Sequence, residues 1–255
     1  MTRPVRLGLF LVAAAGLAAV LIIGFRGLPA FGHAHELYGA VTNRTEQKLR
    51  HATDIVTALN FDIRAFDTLG EEFILFASVS GVALLLRQMR DEENRDVPTP
   101  GIEDHRFAGA SEGLKLSSLA LIPVLIAFGA YLVFHGQLTP GGGFQGGVVL
   151  AAGPAAILLA GRYLSMKRVA PKRLAESADA IGAASYGLIG IGGLIFAGIY
   201  LKNFLPFGTP GKLLSSGMMP FNSIAVGLEV TGAFLMTWTE FLDQATIGSP
   251  SGGAR

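Results

Sequence analysis

Glu229 lies near the middle of an apolar stretch, Met219 to Leu242, that contains no basic residue. A carboxylate at the centre of a bilayer costs about 3 kcal/mol or more, so it normally faces a protein interior or a water-filled cavity. Such a group carries a proton, binds a cation, pairs with a basic residue of another subunit, or stays a passive neutral acid. The sequence leaves these four possibilities open.

A second group of charged residues precedes another apolar stretch. Asp62, Arg64, Asp67 and Glu71 fall within ten residues, and one cation among several acids predicts an ion-paired cluster. Thr68 and Glu71 have the spacing of a capping box, so either Asp67 or Thr68 is expected to cap the helix that follows. Capping accounts for Thr68 and Glu71 but leaves Asp62 and Arg64 unexplained.

The apolar stretch after this group is short. Phe73 to Leu86 comprises 14 uncharged residues, about 21 Å of helix, whereas the hydrocarbon core is about 30 Å thick. Glu71 and Glu72 are therefore expected inside the outer edge of the membrane. For Glu72 two interpretations stay open: a functional role, or a headgroup position in a tilted or thinned bilayer.

A glycine-rich run follows His135. Pro140 and the three glycines after it predict a turn at the outer surface. Gly143, Gly147 and Ala151 then form a small-residue face on the next helix, where backbones approach closely. We take the following glycines as helix-packing residues: Gly142, Gly143, Gly146 and Gly147. Phosphate binding is disfavoured because the run has neither Walker spacing nor a following Lys.

Composition places the chain in a membrane. Hydrophobic residues make up 51% of it and charged residues 15%, with a mean hydropathy of +0.49, whereas soluble domains carry about 25% charged residues. The absence of cysteine excludes disulfides, thiolate metal sites and Cys nucleophiles. A net charge of +1 gives no indication of nucleic-acid binding.

Six stretches predict an all-α polytopic fold. They are Leu7–Phe25, Asp67–Leu86, Leu116–Phe134, Phe144–Leu164, Ala180–Tyr200 and Gly217–Leu242. With the N-terminus inside, 7 of the 20 Lys and Arg residues lie in outer segments and the other 13 in inner ones. The positive-inside rule then predicts both termini in the cytoplasm. The membrane that we expect is the inner (cytoplasmic) cell membrane. The alternative for the first stretch is a cleaved signal peptide.

The connections carry weaker signals. Residues 26–66 include His33, His35 and His51, but without a nearby further ligand these do not predict a metal site. Ile55, Val56, Leu59 and Phe61 have helical spacing, typical of an interfacial helix that leads into the second span. We expect modules at residues 1–90 and 115–245, a cytoplasmic linker at 91–114 and a flexible tail at 246–255.

The charged segment from Asp62 to Glu71 resembles the Asp-x-Arg-x-x-Asp-Thr-Leu-Gly-Glu signature of the E subunit of membrane-bound hydrogenases. A similar module forms the C-terminal end of the large A subunit of Mrp-type cation/proton antiporters. This resemblance covers about residues 1–90.

The glycine-rich run resembles the hallmark of the MnhB/MrpB family, the B subunit of the same antiporters. The segment from Asn222 to Val230, which includes Glu229, is similar to the last helix of that family. Gln137 departs from the expected His-Gly-His, which leaves His135 as the imidazole of the loop. Together the two resemblances imply an E-type module fused to a B subunit.

These resemblances imply an accessory, non-enzymatic membrane subunit of a multisubunit Mrp-like antiporter or a related respiratory or hydrogenase complex. No cofactor is expected, and the expected partners are other membrane subunits, the lipid bilayer, and Na⁺ or H⁺. The role is scaffolding, with or without lining an ion path. Ion-path candidates are Glu71, Asp67, Glu229, Glu72, Asp62, Arg64 and His135. The alternatives are a stand-alone secondary transporter, for which no inverted repeat is visible, and a membrane enzyme, for which no motif groups catalytic residues.

Overall fold

The computed structural model describes residues 3–28, 37–93, 111–160 and 163–247, and within these ranges the chain forms helices and loops without a strand. The expected all-α polytopic fold class is thereby confirmed. The helices are α1 (Arg3–Arg26), α2 (Leu37–Arg50), α3 (Ile55–Ala58), α4 (Ala65–Glu93), α5 (Glu112–Phe134), α6 (Gly143–Leu159), α7 (Tyr163–Val169), α8 (Lys172–Ala197) and α9 (Met219–Ile247), with a π-helical turn at Leu59–Ile63 between α3 and α4.

Five of the described helices are long and apolar enough to cross a membrane, and they lie at five of the six predicted spans. The remaining predicted span, the fourth (Phe144–Leu164), extends too far, because α6 ends at Leu159 and is about 25 Å long. The chain turns near Ala160, and Met166 of α7 packs back against Ile157. This packing replaces a straight continuation of α6.

The fifth predicted span begins too late. It was expected at Ala180, whereas α8 begins at Lys172, directly after Pro171 in extended conformation. Proline suits this position because its missing N–H would have no partner in the first turn of a helix. The earlier start places Asp179 inside the helix rather than at its end.

Helix α9 is the central helix of the bundle. It packs against α4, α5, α6 and α8. Of its membrane-length window, 67% is buried within the protein, against 28% or less for α4, α5 and α8. Polar residues on α9 therefore meet other helices of this chain rather than lipid.

The glycines of α6 lie at helix crossings. A Cβ atom on Gly143 or Gly147 would collide with Val226 or Val230 of α9, and one on Gly146 would collide with Val133 of α5. Gly142 has φ +126° at the N-terminal boundary of α6, a conformation that L residues rarely adopt. The structure thus places all four predicted packing glycines at contacts or at a strained turn.

The loop after α5 is held between two other segments. The backbone N–H groups of Thr53 and Asp54 donate to the carbonyl of Gln137 at 3.0 and 3.1 Å. The Thr57 hydroxyl donates to the carbonyl of Gly136 at 2.6 Å. From the other side, Gln137 Nε2 donates to the carbonyl of Leu213 at 2.7 Å. The glycine-rich loop is therefore a structural junction.

The segment before α4 is helical, as its spacing predicts, and its interfacial position stays a prediction. It consists of α3, capped by the Asp54 carboxylate, and the π-helical turn. Ala58 and Phe61 are buried in the main core with Ala65, whereas Val56 is exposed. The segment packs on the bundle because Phe61 lies beside Tyr186 of α8, with ring centroids 6.2 Å apart.

Two compact units divide the chain at Val41, one of residues 1–41 and one of residues 42–255. The first contains α1, whose span Leu7–Arg26 ends on a basic residue. The second contains the bundle. The expected modules at 1–90 and 115–245 rest on resemblance and stay a prediction. His33, His35, most of the expected linker and almost all of the expected tail lie outside the described residues.

Candidate functional site

Three carboxyl groups are buried together inside the bundle. Glu72 of α4, Asp179 of α8 and Glu229 of α9 have exposed fractions of 1%, 2% and 0%. We call them the carboxyl triad. Glu229 lies ten residues after the start of α9, about 15 Å along the helix, and Asp179 lies about 10 Å from the start of α8. Both are therefore within the depth of a hydrocarbon core.

Glycine contacts bring Asp179 and Glu229 to the same crossing. A Cβ atom on Gly182 of α8 would collide with the backbone nitrogen and Cβ of Glu229. Reciprocally, a Cβ atom on Gly232 of α9 would collide with the backbone nitrogen of Asp179. Each acid lies three residues before the glycine on its own helix. The two antiparallel helices touch backbone to backbone, and the acids flank that contact.

Helix α4 supplies the third carboxyl group. Val79 and Ala83 of α4 pack with Ala233 and Met236 of α9 and with Ala175 of α8. Two turns earlier on α4, this packing turns Glu72 into the interior. The carboxyl groups of Glu72 and Glu229 are close enough to interact, and Asp179 acts electrostatically on both.

The triad lacks compensating partners within the described part of the chain. Both side-chain oxygens of Glu72 and of Glu229, and Oδ1 of Asp179, are buried without a hydrogen-bond partner outside the triad, and the carboxyl groups of Glu72 and Glu229 interact with each other. Among the described residues, no ion pair joins the triad to a Lys or Arg. Burying an unpaired carboxylate is costly, and buried polar atoms without partners are rare in folded proteins.

Polar groups extend from the triad toward both ends of α8. Tyr186 is fully buried two turns from Asp179, and its hydroxyl donates to the carbonyl of Ala65 at 2.9 Å. Tyr186 and Glu72 interact electrostatically. In the other direction, a groove of about 290 Å³ between α4 and α8 is lined by Asp179, Glu176 and Ser80.

A buried ion pair closes the bundle near the start of α8. Lys172 Nζ pairs with Oε1 of Glu240, whose side chain is fully buried. Lys172 is partly exposed, so the pair lies at the edge of the bundle. This buried acid is therefore paired with a cation, unlike the acids of the carboxyl triad.

The charged signature at the start of α4 is split into separate contacts. Arg64 pairs with Asp67, and both side chains are more than half exposed. Asp62 instead pairs with Arg50 of α2, which the sequence did not associate with the signature. The expected single ion-paired cluster is therefore wrong, because the π-helical turn directs Asp62 toward α2 and leaves Arg64 at the surface.

The predicted cap of α4 is also wrong. The helix begins at Ala65, so Asp67 and Thr68 lie within its first turn. The Thr68 hydroxyl donates to the carbonyl of Asn60 at 2.8 Å and ties α4 to the π-helical turn. Glu71 is exposed, whereas Glu72, one residue later, is buried.

The Arg50 guanidinium holds two acids outside the membrane spans. Burial raises the pKa of Asp62, and Arg50 opposes part of that rise. Burial also raises the pKa of Glu46, whose Oε2 lies 3.9 Å from Arg50 Nε; Arg50 opposes this rise, and Asp62 adds to it. The Arg50 guanidinium carbon lies 5.3 Å from the ring centroid of Phe207, so it also contacts the loop before α9.

His135 and the glycine-rich loop are structural in their contacts. His135 ends α5 and stacks on Tyr131 with ring centroids 4.4 Å apart, while its Nδ1 is buried without a hydrogen-bond partner. His51 Nδ1 lies 2.7 Å from the carbonyl oxygen of Gly208. Within the described residues, no group of three or more His, Cys, Asp or Glu side chains is arranged to hold a metal ion.

Sequence reasoning missed Asp179 because it was placed at the boundary of a polar loop. The available signal was its spacing from Gly182, the same three-residue spacing that separates Glu229 from Gly232. The Lys172–Glu240 pair was missed for the same reason, since Lys172 was assigned to the loop. The sequence did not show whether Glu71 or Glu72 faces the interior. That depends on the rotation of α4 about its own axis, which the sequence does not define.

Comparison with known proteins places these residues in a family. The family model for a domain related to the MnhB subunit of Na⁺/H⁺ antiporters matches residues 114–236. The uncharacterized protein MJ1307 of Methanocaldococcus jannaschii is 33% identical over 201 residues, which cover 71% of this chain and 76% of that protein. The probable K(+)/H(+) antiporter A/B subunit of Rhizobium meliloti is 34% identical over 115 residues, 40% of this chain and 12% of that protein.

Solved structures share the fold. A chain of the membrane-bound sulfane sulfur reductase, an archaeal respiratory membrane complex, has a TM-score of 0.66 and 26% identity, covering 93% of this chain and 98% of that chain. A chain of the Mrp complex from Dietzia sp. DQ12-45-1b has a TM-score of 0.66 and 21% identity, covering 100% of this chain and 27% of that chain.

The resemblance of the C-terminal part to MnhB is confirmed, whereas the resemblance of residues 1–90 to an E-type module stays a prediction. The apolar helices are those of a multi-pass membrane protein. The chain therefore belongs to the MnhB-related family, the accessory membrane subunits of multisubunit antiporter-like complexes.

Proposed function

We propose that this subunit lines a proton path in its complex, and that the carboxyl triad of Glu72, Asp179 and Glu229 holds the proton at membrane depth. The observation that carries the proposal is the burial of three carboxyl groups on three helices without a compensating cation among the described residues. A purely scaffolding helix contact has no need of these groups, since apolar side chains of similar size would pack at lower cost.

Protonation resolves the electrostatic cost of the triad. Several neighbouring carboxylates in a low-dielectric interior cannot all be ionised, because like charges repel and burial disfavours each charge. Sharing protons within the triad removes most of that cost. A proton that is shared between carboxyl groups can also be passed from one to the next, which is the requirement for a relay.

Neighbouring polar groups extend the proposed path in both directions. Tyr186 and the first turn of α4 lie beyond Glu72, and Ser80 and Glu176 lie beyond Asp179 in the α4–α8 groove. Glu71, Asp67 and Arg64 are exposed near the same end of α4 and would contribute by attracting ions rather than by holding them in the interior.

A cation such as Na⁺ is the alternative cargo, because the family model describes a subunit of Na⁺/H⁺ antiporters. Cation binding needs several oxygen ligands that converge on one point. No such group of acidic side chains is present within the described residues, so the geometry of these residues favours a proton.

The complex around the subunit is either antiporter-only or linked to a redox enzyme. The chain covers 98% of a chain of a respiratory complex but 27% of a chain of an Mrp complex. We favour a respiratory complex for this reason, with the chain itself catalysing no chemical step. The asymmetry of Lys and Arg supports an orientation with both termini in the cytoplasm and a location in the cytoplasmic membrane.

The test is ion transport by the assembled complex in everted membrane vesicles. Glu229→Gln and Glu72→Gln keep the side-chain shape but remove proton exchange, so transport should fall by about 100-fold, as when a positioned proton-transfer group is removed. Assembly, measured as the amount of intact complex on a native gel, should be unchanged. The matched control is Glu71→Gln, which alters the exposed neighbour of Glu72 and should leave both quantities unchanged.

Unchanged transport in both triad variants would reject the proton path and leave a scaffolding role. Loss of assembly together with transport would instead indicate that the triad pairs with another subunit. Retained proton uptake with loss of cation transport would identify the cation as the cargo.

A further inference from the structure

The groove between α4 and α8 is open along its rim and acidic at its base. Its base is formed by Asp179, Ala83 and Met236, each at most 4% exposed. Its rim includes Leu84, which is 66% exposed, and Ala180. The volume of about 290 Å³ is sufficient for an inserted side chain.

An acidic base at this depth is incompatible with a lipid-facing groove. Asp179 lies about 10 Å along the 26-residue α8, past its first two turns. Acyl chains offer no hydrogen bonds, so ionisable groups at membrane depth normally face protein or water rather than lipid. Oδ1 of Asp179 has no hydrogen-bond partner within the described residues. The groove is therefore incomplete in the isolated chain.

The charge and shape of the groove indicate which kind of group would fill it. Behind Asp179 lie Glu72 and Glu229, so the field at the base of the groove is negative. Lys172, at the start of the same helix, is already paired with Glu240. On the α4 side the groove presents apolar Phe76 and Leu84, which suit contact with another transmembrane helix, and Glu176 of α8 adds a second acid to its lining.

We infer that the α4–α8 groove is a docking site for a transmembrane helix of another subunit, which inserts a Lys or Arg side chain toward Asp179. A basic side chain at membrane depth on that helix is costly unless it is paired with an acid, and the same holds for Asp179 without a cation. The pairing would fix the position of the partner helix. In that arrangement Asp179 stays ionised, and the shared proton of the proposed path lies between Glu72 and Glu229.

The test is site-specific photocrosslinking in the intact complex, with a benzophenone amino acid at Leu84. The control position is Val124 on α5, which is also exposed, at 58%, but does not line the groove. We expect Leu84 to crosslink to one membrane subunit, at a transmembrane peptide that contains Lys or Arg and differs from any peptide captured at Val124. Adducts with lipid alone at Leu84, or a captured peptide without Lys or Arg, would overturn the proposal.

A charge exchange tests the pairing itself. Asp179→Lys should abolish the Leu84 adduct, and replacing the captured Lys or Arg of the partner with Asp should restore it. Failure of restoration while the double variant is present at normal levels in the membrane would contradict the pairing. A normal Leu84 adduct in Glu229→Gln with unchanged transport would retain the docking site and reject the proton path, so the two proposals fail separately.

Discussion

Acidic side chains are buried in two regions of the second unit, and the two regions differ in their counter-charges. Outside the membrane spans, Asp62 and Glu46 surround Arg50. Within the bundle, the carboxyl triad has no Lys or Arg partner among the described residues, although Lys172 pairs with Glu240 a few turns away. Buried acids are thus paired with a cation in one region of the fold and left without one in the other.

The difference separates structural acids from functional ones. A paired acid joins two elements, α2 to the π-helical turn or α8 to α9, and removing its cation costs stability because the buried acid loses a counter-charge. An unpaired acid contributes nothing to stability as a carboxylate, so replacing it with a neutral isostere should cost little. Stability should therefore respond to the paired acids, and transport to the unpaired ones.

The largest effect on stability is expected at the Lys172–Glu240 pair. Lys172→Ala removes the ion pair from the fully buried Glu240, which should destabilise the fold by about 3 kcal/mol. The matched control, Lys172→Met with Glu240→Leu, removes both charges and should recover most of the loss. Thermal unfolding is measured by fluorescence of Trp238, the one tryptophan of the chain. Equal stability of Lys172→Ala and wild type would contradict the comparison.

Gly182 tests the contact that positions the triad. A Cβ atom there would collide with the backbone of Glu229, so Gly182→Ala should destabilise the bundle by about 1–3 kcal/mol. Gly70 on α4 has open space around it, so Gly70→Ala should stabilise by about 0.5–1 kcal/mol through helix propensity. Opposite shifts of the unfolding midpoint are expected. Equal shifts would show that the α8–α9 contact is looser than described.

The smallest effect is a pH dependence at the Arg50 cluster. Because the folded-state pKa of Asp62 is raised above its ordinary 3.8, the folded state binds the proton more tightly than the unfolded state. Stability from this group is therefore greatest at low pH and decreases as pH rises from about 3.8 through the raised pKa. Asp62→Asn should flatten that decrease, whereas Arg50→Ala should extend it to higher pH. An Asp62→Asn profile parallel to wild type would contradict the assignment.

The membrane-spanning helices were largely predictable because the length of an apolar stretch is a property of the chain itself. Glu229 was identifiable for the same reason, as a carboxylate in the middle of an apolar stretch. Its neighbours were not, because they depend on helix phase and crossing geometry. Burial of Glu72 rather than Glu71 follows from the packing of α4 on α9, and the role of Asp179 follows from the early start of α8 after Pro171.

The central claim, that the carboxyl triad exchanges protons, is tested most directly by infrared difference spectroscopy of the purified complex during turnover. The account predicts a protonated-carboxyl band that changes on turnover in wild type and in Glu71→Gln. The change should be lost in Glu229→Gln and in Glu72→Gln. A band that does not change on turnover, or that changes equally in wild type and Glu229→Gln, would contradict it.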